Sequence, residues 1–249
     1  MIKFFRKIRY KNLKEGKTVN YIKYAFGEIV LVVIGILIAL SINSWNESRK
    51  NLAKKEILLK ALKIEFTDNL KQLDTVLYYD NKVLKNIRRF INLDPDNSVE
   101  MTNDSMPNWF QNSSFRWTFN PLNGALRSGI SSSEIHLINN DSLANLLFGW
   151  QDFVSDAIEG EVRTIAALVA SKSITERYIR NTDYRSSYLP ELGKSRFLSD
   201  YQSLFRDPLF EDYLTERYLS MNEVLDELNL VKKKNELIIK LINKELNKS

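Results

Sequence analysis

The sequence contains no cysteine and only one histidine, His136. The absence of cysteine excludes disulfides, thiolate catalysis and thiolate metal sites. A lone histidine excludes multi-histidine zinc or di-iron sites and most catalytic arrangements in which a histidine activates a serine. Proline and glycine are scarce too, at 5 and 8 of 249 residues. Neither residue interrupts positions 52–92, which leaves room there for a long helix.

The net charge of +5 is unevenly distributed along the chain. Residues 1–50 hold ten basic and three acidic side chains, whereas residues 51–249 hold 26 basic and 28 acidic side chains. The basic excess therefore lies near the N-terminus, and the rest of the chain offers no stripe of cations for phosphates. This distribution excludes nucleic acid as a partner.

No residue pattern predicts a catalytic, cofactor-binding or metal site. Asp152, Asp156 and Glu159 share one helical face, but this spacing is typical of a solvated surface. The serines at 131–133 precede His136 without the glycines of a nucleophile elbow. The sequence also lacks a phosphate loop and a dinucleotide fingerprint. We therefore predict a protein without catalytic activity or cofactor, and a carboxylate-based hydrolase is the enzyme alternative.

One apolar stretch, from Tyr24 to Ile42, is the strongest feature that is present. It is 19 residues long and has no polar side chain between Ile29 and Leu40. A helix of this length spans roughly 28 Å, close to the hydrocarbon thickness of a bilayer. The stretch predicts a transmembrane helix over residues 24–44.

The flanks of this stretch predict its orientation. Residues 1–23 carry eight basic side chains and residues 43–62 carry five, and the more basic flank usually stays in the cytoplasm. Tyr24 and Trp45 lie where aromatic rings favour the two membrane interfaces. We expect a cytoplasmic N-terminus and an exported remainder, anchored without cleavage. The alternative is a signal peptide cleaved after the small residues Ala39 and Ser41.

Small and acidic residues within the span suggest two further roles. Gly27, Gly35 and Ala39 fall on one helical face, where small side chains let two membrane helices approach closely. Self-association and the ordinary frequency of such residues in membrane helices both stay open as explanations. Glu28 lies about one turn inside the cytoplasmic edge, which favours an interfacial carboxylate over a functional intramembrane acid.

The remainder of the chain reads as helical. Apolar residues recur at spacings of three and four from Leu52 to Asn92, where Asp94-Pro95-Asp96-Asn97 predicts a turn. The segment 94–119 reads as a loop rich in aromatic residues, which are Trp109, Phe110, Phe115, Trp117 and Phe119. These rings serve either as a binding surface for a partner or, more in keeping with other proteins, as a cover for the core.

Cap and breaker residues divide the C-terminal half. Asn120-Pro121 predicts the start of a short helix that ends at Gly129. Asn139-Asn140-Asp141 predicts the start of a longer helix that runs through Ile158. Gly160 allows a break or a kink before a further helix that runs from about Glu161 to Arg180, and residues 181–195 read as a loop. The last helix begins at Asp207-Pro208.

A heptad pattern runs through the last helix. One series has a polar residue among apolar ones, and its members are Leu214, Met221, Leu228, Asn235 and Ile242. A polar residue in such a seam fixes register in coiled coils. We expect the helix to pack against the 52–92 helix, with a homo-oligomeric coiled coil as the alternative.

The segments FFRKIR and YAFGEIVLVVIGILIALSINSWNESRK, within residues 1–50, resemble an uncharacterised family of membrane-anchored proteins from Gram-negative bacteria. A weaker similarity lies in residues 123–147, in LRSGISSSEIHLINNDSLANLL. The resemblance implies an inner-membrane anchor with a helical domain in the periplasm. The family is a domain of unknown function, so it implies no activity, cofactor or site residue.

Together these features predict an all-α chain, in which the transmembrane helix continues into an elongated bundle with long antiparallel N- and C-terminal helices. We predict a basic cytoplasmic segment (1–23), the span (24–44) and an extracytoplasmic helical domain (45–249) that acts as an interaction or scaffold module. Its predicted partners are the lipid bilayer and an unidentified envelope protein. The alternative is a sensor-like bundle that binds a small ligand and acts through a membrane partner.

Overall fold

The computed structural model describes residue 10, residues 18–97 and residues 104–248. Most of the basic segment 1–23 therefore lies outside the described residues. The chain divides into two compact units, residues 1–55 and residues 56–249. The described residues form helices and no strands, which confirms the predicted all-α fold.

The first helix, α1 (Thr18–Ile91), contributes to both units. Its end at Ile91 agrees with the turn predicted at residues 94–97. The elements that follow are α2 (Met106–Ser113), α3 (Gly124–Ser131), a 3-10 helix (Glu134–Leu137), α4 (Asp141–Phe148), α5 (Trp150–Ala170), α6 (Lys172–Tyr178), α7 (Asn181–Arg185), a 3-10 helix (Pro190–Leu192), α8 (Tyr201–Phe205) and α9 (Pro208–Leu246).

In the first unit the apolar part of α1 is exposed. Its most apolar 18-residue window has a mean hydropathy of 2.7 and no buried residue. A helix this long and apolar can cross a bilayer, which indicates a membrane anchor near the N-terminus. An apolar helix at this place in the chain is also compatible with a signal sequence.

Two details of this unit bear on the predicted span. A Cβ atom at Gly27 or Gly35 would meet nothing within 4 Å, so this face of the helix is open. The guanidinium of Arg49 lies 5.5 Å from the ring centre of Trp45, the residue predicted to anchor one interface.

The core of the second unit forms where α1 and α9 run side by side. Lys232 of α9 pairs with Asp74 of α1 at 2.6 Å. Arg206, which precedes α9, pairs with Asp96, which follows α1. The order of these pairs is reversed between the two helices, so α1 and α9 are antiparallel, as predicted.

Two apolar clusters fill the space between these helices and the shorter ones. One joins α1 and α9 to α4 and α5, and Phe66 and Trp150 meet edge to face in it with ring centres 4.9 Å apart. The other joins the end of α1 to α2, α8 and the start of α9 around Phe90, Phe110 and Phe210. Burial of the aliphatic and aromatic side chains of these clusters removes apolar surface from water, which is the dominant favourable term in folding.

The first heptad series of α9 is buried within this unit. Its members Leu214, Met221, Leu228, Asn235 and Ile242 are all at most 4% exposed. Asn235 is fully buried, and neither polar atom of its side chain has a hydrogen-bond partner among the described residues. The seam thus serves packing within the chain, and the coiled coil between copies stays a prediction.

The breaks predicted between residues 139 and 180 are partly wrong. Asn140 caps α4 as expected, because its Oδ1 accepts a hydrogen bond from the Leu143 N–H at 3.0 Å. However, α4 ends at Phe148, and Gly160 lies inside α5 rather than at a break. A Cβ at Gly160 would lie 3.2 Å from Val224 Cγ2, so this glycine permits close packing of α5 on α9.

Short helices also lie in two segments predicted as loops. Helix α2 lies within residues 94–119, and Pro107 in its first turn suits a helix start. Helix α7 and the 3-10 helix Pro190–Leu192 lie within residues 181–195. Helices of three to eight residues have too few turns to leave a clear periodicity in the sequence.

Candidate functional site

Residues 115–123 form a segment without regular secondary structure, which we call the strap. A strap that is not part of a sheet must find other partners for its backbone polar groups. Here the partners are side chains of the helices. The N–H groups of Trp117 and Phe119 donate hydrogen bonds to Asp80 Oδ1 at 3.2 Å and Glu161 Oε1 at 2.8 Å.

Helix α1 holds the other end of the strap as well. Asn69 donates to the Leu122 carbonyl at 2.8 Å, and its Oδ1 accepts from the Leu122 N–H at 2.7 Å. Glu65 accepts from the N–H groups of Ala125 at 2.6 Å and Leu126 at 3.1 Å, in the first turn of α3. A carboxylate at a helix N-terminus satisfies free N–H groups and the helix dipole.

This contact explains why one predicted boundary is wrong. The sequence pair Asn120-Pro121 predicts the start of the short helix, but α3 begins at Gly124. Glu65 supplies the cap from another helix, so the start is fixed by tertiary contact. The residues between belong to the strap.

Three buried charged residues lie under the strap. Asp80 of α1 is 2% exposed, Glu161 of α5 is 7% exposed and Arg217 of α9 is fully buried. Arg217 donates to the carbonyls of Thr164 at 3.1 Å and Phe115 at 3.0 Å. We call these three residues the clamp, since they join three helices to the strap.

Burial shifts the pKa values of the clamp. Loss of hydration raises the pKa of Asp80 to about 6 and that of Glu161 to about 7, although each accepts a backbone hydrogen bond that lowers it. Burial also lowers the pKa of Arg217 from its usual value. The two acids therefore gain or lose protons near neutral pH.

The space beside the clamp limits what it does chemically. The cavity there measures about 10 Å³, room for no more than about one water molecule. One oxygen of each acid already accepts a hydrogen bond from the strap. The arrangement thus holds the strap in place and offers no room for a substrate.

The five aromatic residues of segment 94–119 have different environments. Phe119 and Phe110 are buried in the core, and Trp109 and Phe115 are half-buried. Trp117 is 40% exposed and stacks on Tyr79 of α1, with ring centres 4.3 Å apart and planes 12° apart. The rings therefore act partly as core cover and partly as surface.

The exposed rings line one side of a groove of about 440 Å³, which we call the Trp117 groove. Its cations are Lys82, Lys85 and Arg89 of α1, and no carboxylate lines it within the described ranges. Arg89 also places its guanidinium 3.4 Å from the ring centre of Trp109. The groove combines aromatic faces with positive charge only.

A second cavity, of about 310 Å³, shares the lining residue Phe115 with the groove. We call it the Phe110 cavity. Side chains of α1, α2, α5, α6, α7 and α9 line it, and Phe110, Leu168 and Phe210 are among its apolar walls. Arg116, Lys172 and Arg185 are its charged residues, and in the described part of the chain no acid lines it.

The residues weighed as catalytic in the sequence lie apart from these features. Asp152, Asp156 and Glu159 are exposed on α5. His136 is exposed too, with its ring 5.9 Å from that of Phe148. In residues 18–97 and 104–248, no group of three or more metal-ligating side chains is close enough to hold an ion.

The clamp is not among the sites predicted from the sequence, although two of its residues interrupt apolar stripes of their helices. Asp80 interrupts the apolar stripe of α1 between Leu77 and Leu84, and Arg217 interrupts that of α9 between Leu214 and Met221. A charge at a core position of an amphipathic helix is unusual and indicates a buried partner. The partner itself is not readable from the sequence.

Comparison with known proteins finds one family. Residues 28–149, just under half of the chain, match the model of Family of unknown function (DUF6090). The match runs from the apolar part of α1 through the strap to the end of α4, and it confirms the resemblance to an uncharacterised family. No curated protein and no solved structure matches the chain.

Proposed function

Because the matched family has no known function, we propose one from the geometry: this chain is a single-pass membrane protein whose helical unit binds an acidic segment of a protein partner. The observation that carries this proposal is the Trp117 groove. It exposes the stacked pair Tyr79 and Trp117 beside Lys82, Lys85 and Arg89. This role corresponds to the interaction or scaffold module expected from the sequence.

The residue types of the groove support binding of a protein. Tyrosine, tryptophan and arginine are the residues that most often dominate binding energy at interfaces. Tyr78 extends the aromatic surface, since its ring centre lies 5.1 Å from that of Tyr79 and 4.2 Å from Lys82 Nζ. From residue 75 to 93 the only acid is Asp80, which is buried, so this surface attracts carboxylates.

The proposed location is the inner membrane, with the N-terminus in the cytoplasm and the helical unit in the periplasm. The eight basic residues of segment 1–23 against five in segment 43–62 support this orientation. A module held at the membrane surface meets envelope partners at a raised local concentration.

A reporter fusion tests the orientation. Alkaline phosphatase, which is active only after export, is fused after Ser249, and a cytoplasmic reporter is fused at the same place as its control. We expect activity from the phosphatase fusion only. Activity from the cytoplasmic reporter alone would refute the periplasmic location.

A peptide titration tests the groove. The probe is a short fluorescent peptide of glutamates around one tryptophan, added to the full chain in lipid nanodiscs. We expect saturable binding that the triple change Lys82→Ser, Lys85→Ser and Arg89→Ser weakens roughly tenfold, because each charge pair at a surface contributes about 0.2–1 kcal/mol. Fluorescence anisotropy measures the dissociation constant.

The matched control removes the same charge from the same helix. Lys60, Lys63 and Lys71 are exposed residues of α1 that do not line the groove, and their change to serine should leave the dissociation constant unchanged. Equal binding of a control peptide in which lysine replaces each glutamate would contradict an acidic protein partner. Tighter binding of an oligothymidylate with the same charge as the glutamate peptide would contradict it as well.

We also propose that copies of the chain associate through the face of Gly27, Gly35 and Ala39. The open space at both glycines supports this, because close approach of two helices needs it. The heptad series of α9 is the less suitable surface, since its side chains are buried within one chain. Changing Gly27 and Gly35 to leucine should abolish a cross-linked dimer in the membrane, and an unchanged dimer yield would refute this face.

A second candidate function is the sensor-like bundle that binds a small ligand and acts through a membrane partner. The Phe110 cavity favours it, since pockets for small molecules usually measure about 300–1,000 Å³ and are mostly apolar. At about 310 Å³ the cavity lies at the lower end of this range.

A further inference from the structure

We propose that the Phe110 cavity binds a small amphiphilic anion, a carboxylate attached to an apolar body of about eight carbon atoms. This inference rests on the second candidate function, the binding of a small ligand. It is independent of the Trp117 groove, which has its own charged residues. The size, the walls and the charge of the cavity each favour such a ligand.

The size of the cavity limits the ligand. At about 310 Å³ the cavity lies at the lower end of the range for small-molecule pockets, so we expect a small ligand. Octanoate is such a ligand.

The walls select an apolar body. Phe110 and Phe210 are buried, and Ile87 and Leu214 are buried beside them. Apolar contact contributes about 25 cal/mol for each Å² removed from water. A hydrocarbon or aromatic body is therefore stabilised against these residues.

The charge at the edge selects an anionic group. Arg116, Lys172 and Arg185 are exposed cations that line the cavity together with its buried apolar residues. Burial raises the pKa of the nearby Tyr213, so its hydroxyl stays neutral and does not repel an anion. A carboxylate at this edge would meet positive charge and no acid of the described residues.

The side-chain amide of Gln111 also favours an anionic group. The side-chain oxygen of Gln111 is buried, and no hydrogen-bond partner for it lies within the described ranges. A buried acceptor without a partner costs about 1–3 kcal/mol. Rotation of the amide turns its NH₂ group to the same place, where it can donate to a carboxylate oxygen.

Calorimetric titration of the full chain in lipid nanodiscs tests the proposal. The probes are octanoate, octan-1-ol and octyltrimethylammonium, which share one chain length and differ in charge, and empty nanodiscs correct for partition into lipid. We expect saturable binding of octanoate and at least roughly tenfold weaker binding of the other two. No saturable binding of octanoate, or equal binding of all three probes, would overturn the proposal.

Two kinds of variant locate the binding. The double change Lys172→Ser and Arg185→Ser should weaken octanoate binding roughly tenfold, whereas Lys194→Ser with Arg196→Ser, two exposed residues that do not line the cavity, should not change it. Leu168→Phe and Thr175→Phe each fill the cavity and should abolish binding.

Circular dichroism shows whether each variant is folded. Octanoate binding that survives in a folded filled variant would overturn the proposal. Because the groove variants at Lys82, Lys85 and Arg89 leave the cavity unchanged, they should bind octanoate normally. Loss of peptide binding and loss of octanoate binding are thus separate results, and either proposal can fail without the other.

Discussion

At the scale of single residues, three charged side chains in core positions distinguish this unit from a simple helical bundle. Asp80, Glu161 and Arg217 have lost most of their hydration and compensate with hydrogen bonds to the backbone. Burying a charge is costly unless such partners are present. The compensation is incomplete for the two acids, whose pKa values are raised.

The raised pKa values predict how stability depends on pH. Glu161 has a pKa of about 7 in the folded chain against 4.5 as the ordinary value, so the folded state binds its proton more tightly than the unfolded state does. Folding stability should therefore fall as pH rises from about 5 to about 8, by on the order of 2–3 kcal/mol for this residue. Thermal unfolding followed by circular dichroism measures the fall.

The variant Glu161→Gln isolates this effect. Glutamine keeps an oxygen that accepts the Phe119 N–H but has no titrating proton, so most of the fall in the unfolding midpoint between pH 5 and pH 8 should disappear. Glu159→Gln, at an exposed position of the same helix, should keep the full fall. An identical pH profile for wild type and Glu161→Gln would show that Glu161 is not the titrating group.

At the scale of elements, the strap depends on side chains of α1 rather than on its own regular structure. Asn69 makes two hydrogen bonds to Leu122. Asn69→Leu removes both, and at about 1 kcal/mol for each bond the free energy of unfolding should fall by about 2 kcal/mol. Urea unfolding of the reconstituted chain measures this change.

The control for this prediction is another asparagine of α1. Asn81 is exposed and donates only to the Leu77 carbonyl of its own helix, at 2.7 Å. Asn81→Leu should change the free energy of unfolding by less than about 0.5 kcal/mol. Equal effects of the two substitutions would mean that the strap contacts contribute nothing specific.

The packing of α3 on α1 rests on one glycine. A Cβ at Gly129 would lie 2.7 Å from Leu58 Cδ1, and Leu58 is itself buried. Gly129→Ala should therefore destabilise the unit by about 1–3 kcal/mol through overpacking. Gly124→Ala is the control, because the nearest atom to its Cβ would be Glu65 Oε2 at 3.8 Å.

A double variant checks the cause of this loss. Leu58→Val shortens the side chain that the new methyl group would strike. The combination with Gly129→Ala should lose less free energy of unfolding than the sum of the two single changes. Simple additivity would show that the cost does not come from this contact.

At the scale of the whole molecule, the sequence predicted the long elements better than the short ones. The end of α1 at Ile91 and the start of α9 after Asp207 follow from turn and cap residues, and the structure has both. The helix break lies at Gly149 instead of Gly160. Gly160 lies inside α5, where a Cβ would meet Glu227 and Val224 of α9, so this glycine serves packing and not a break.

The candidate site was only partly predictable. The sequence predicted the aromatic residues of segment 94–119 as either a binding surface or a core cover, and both occur in the structure. Phe110 and Phe119 are buried in the core, whereas Trp117 is exposed. The clamp, the Trp117 groove and the Phe110 cavity each combine residues far apart in the chain. Phe115 lines both the groove and the cavity, and no local pattern indicates such a shared wall.

In the proposed function, the membrane-anchored helical unit binds an acidic segment of a partner through the Trp117 groove. Site-specific photo-cross-linking in living cells tests it most directly, with the cross-linker at Tyr78, which is 57% exposed, and at the exposed Phe148 as control. Mass spectrometry then identifies the cross-linked peptide.

We predict that a cross-linker at Tyr78 captures a peptide rich in aspartate or glutamate. A cross-linker at Phe148 should not capture this peptide. The cross-link should disappear when Lys82, Lys85 and Arg89 are changed to serine and persist when Lys60, Lys63 and Lys71 are changed. No cross-link at Tyr78, or one to a non-acidic peptide that is unaffected by the groove substitutions, would contradict the account.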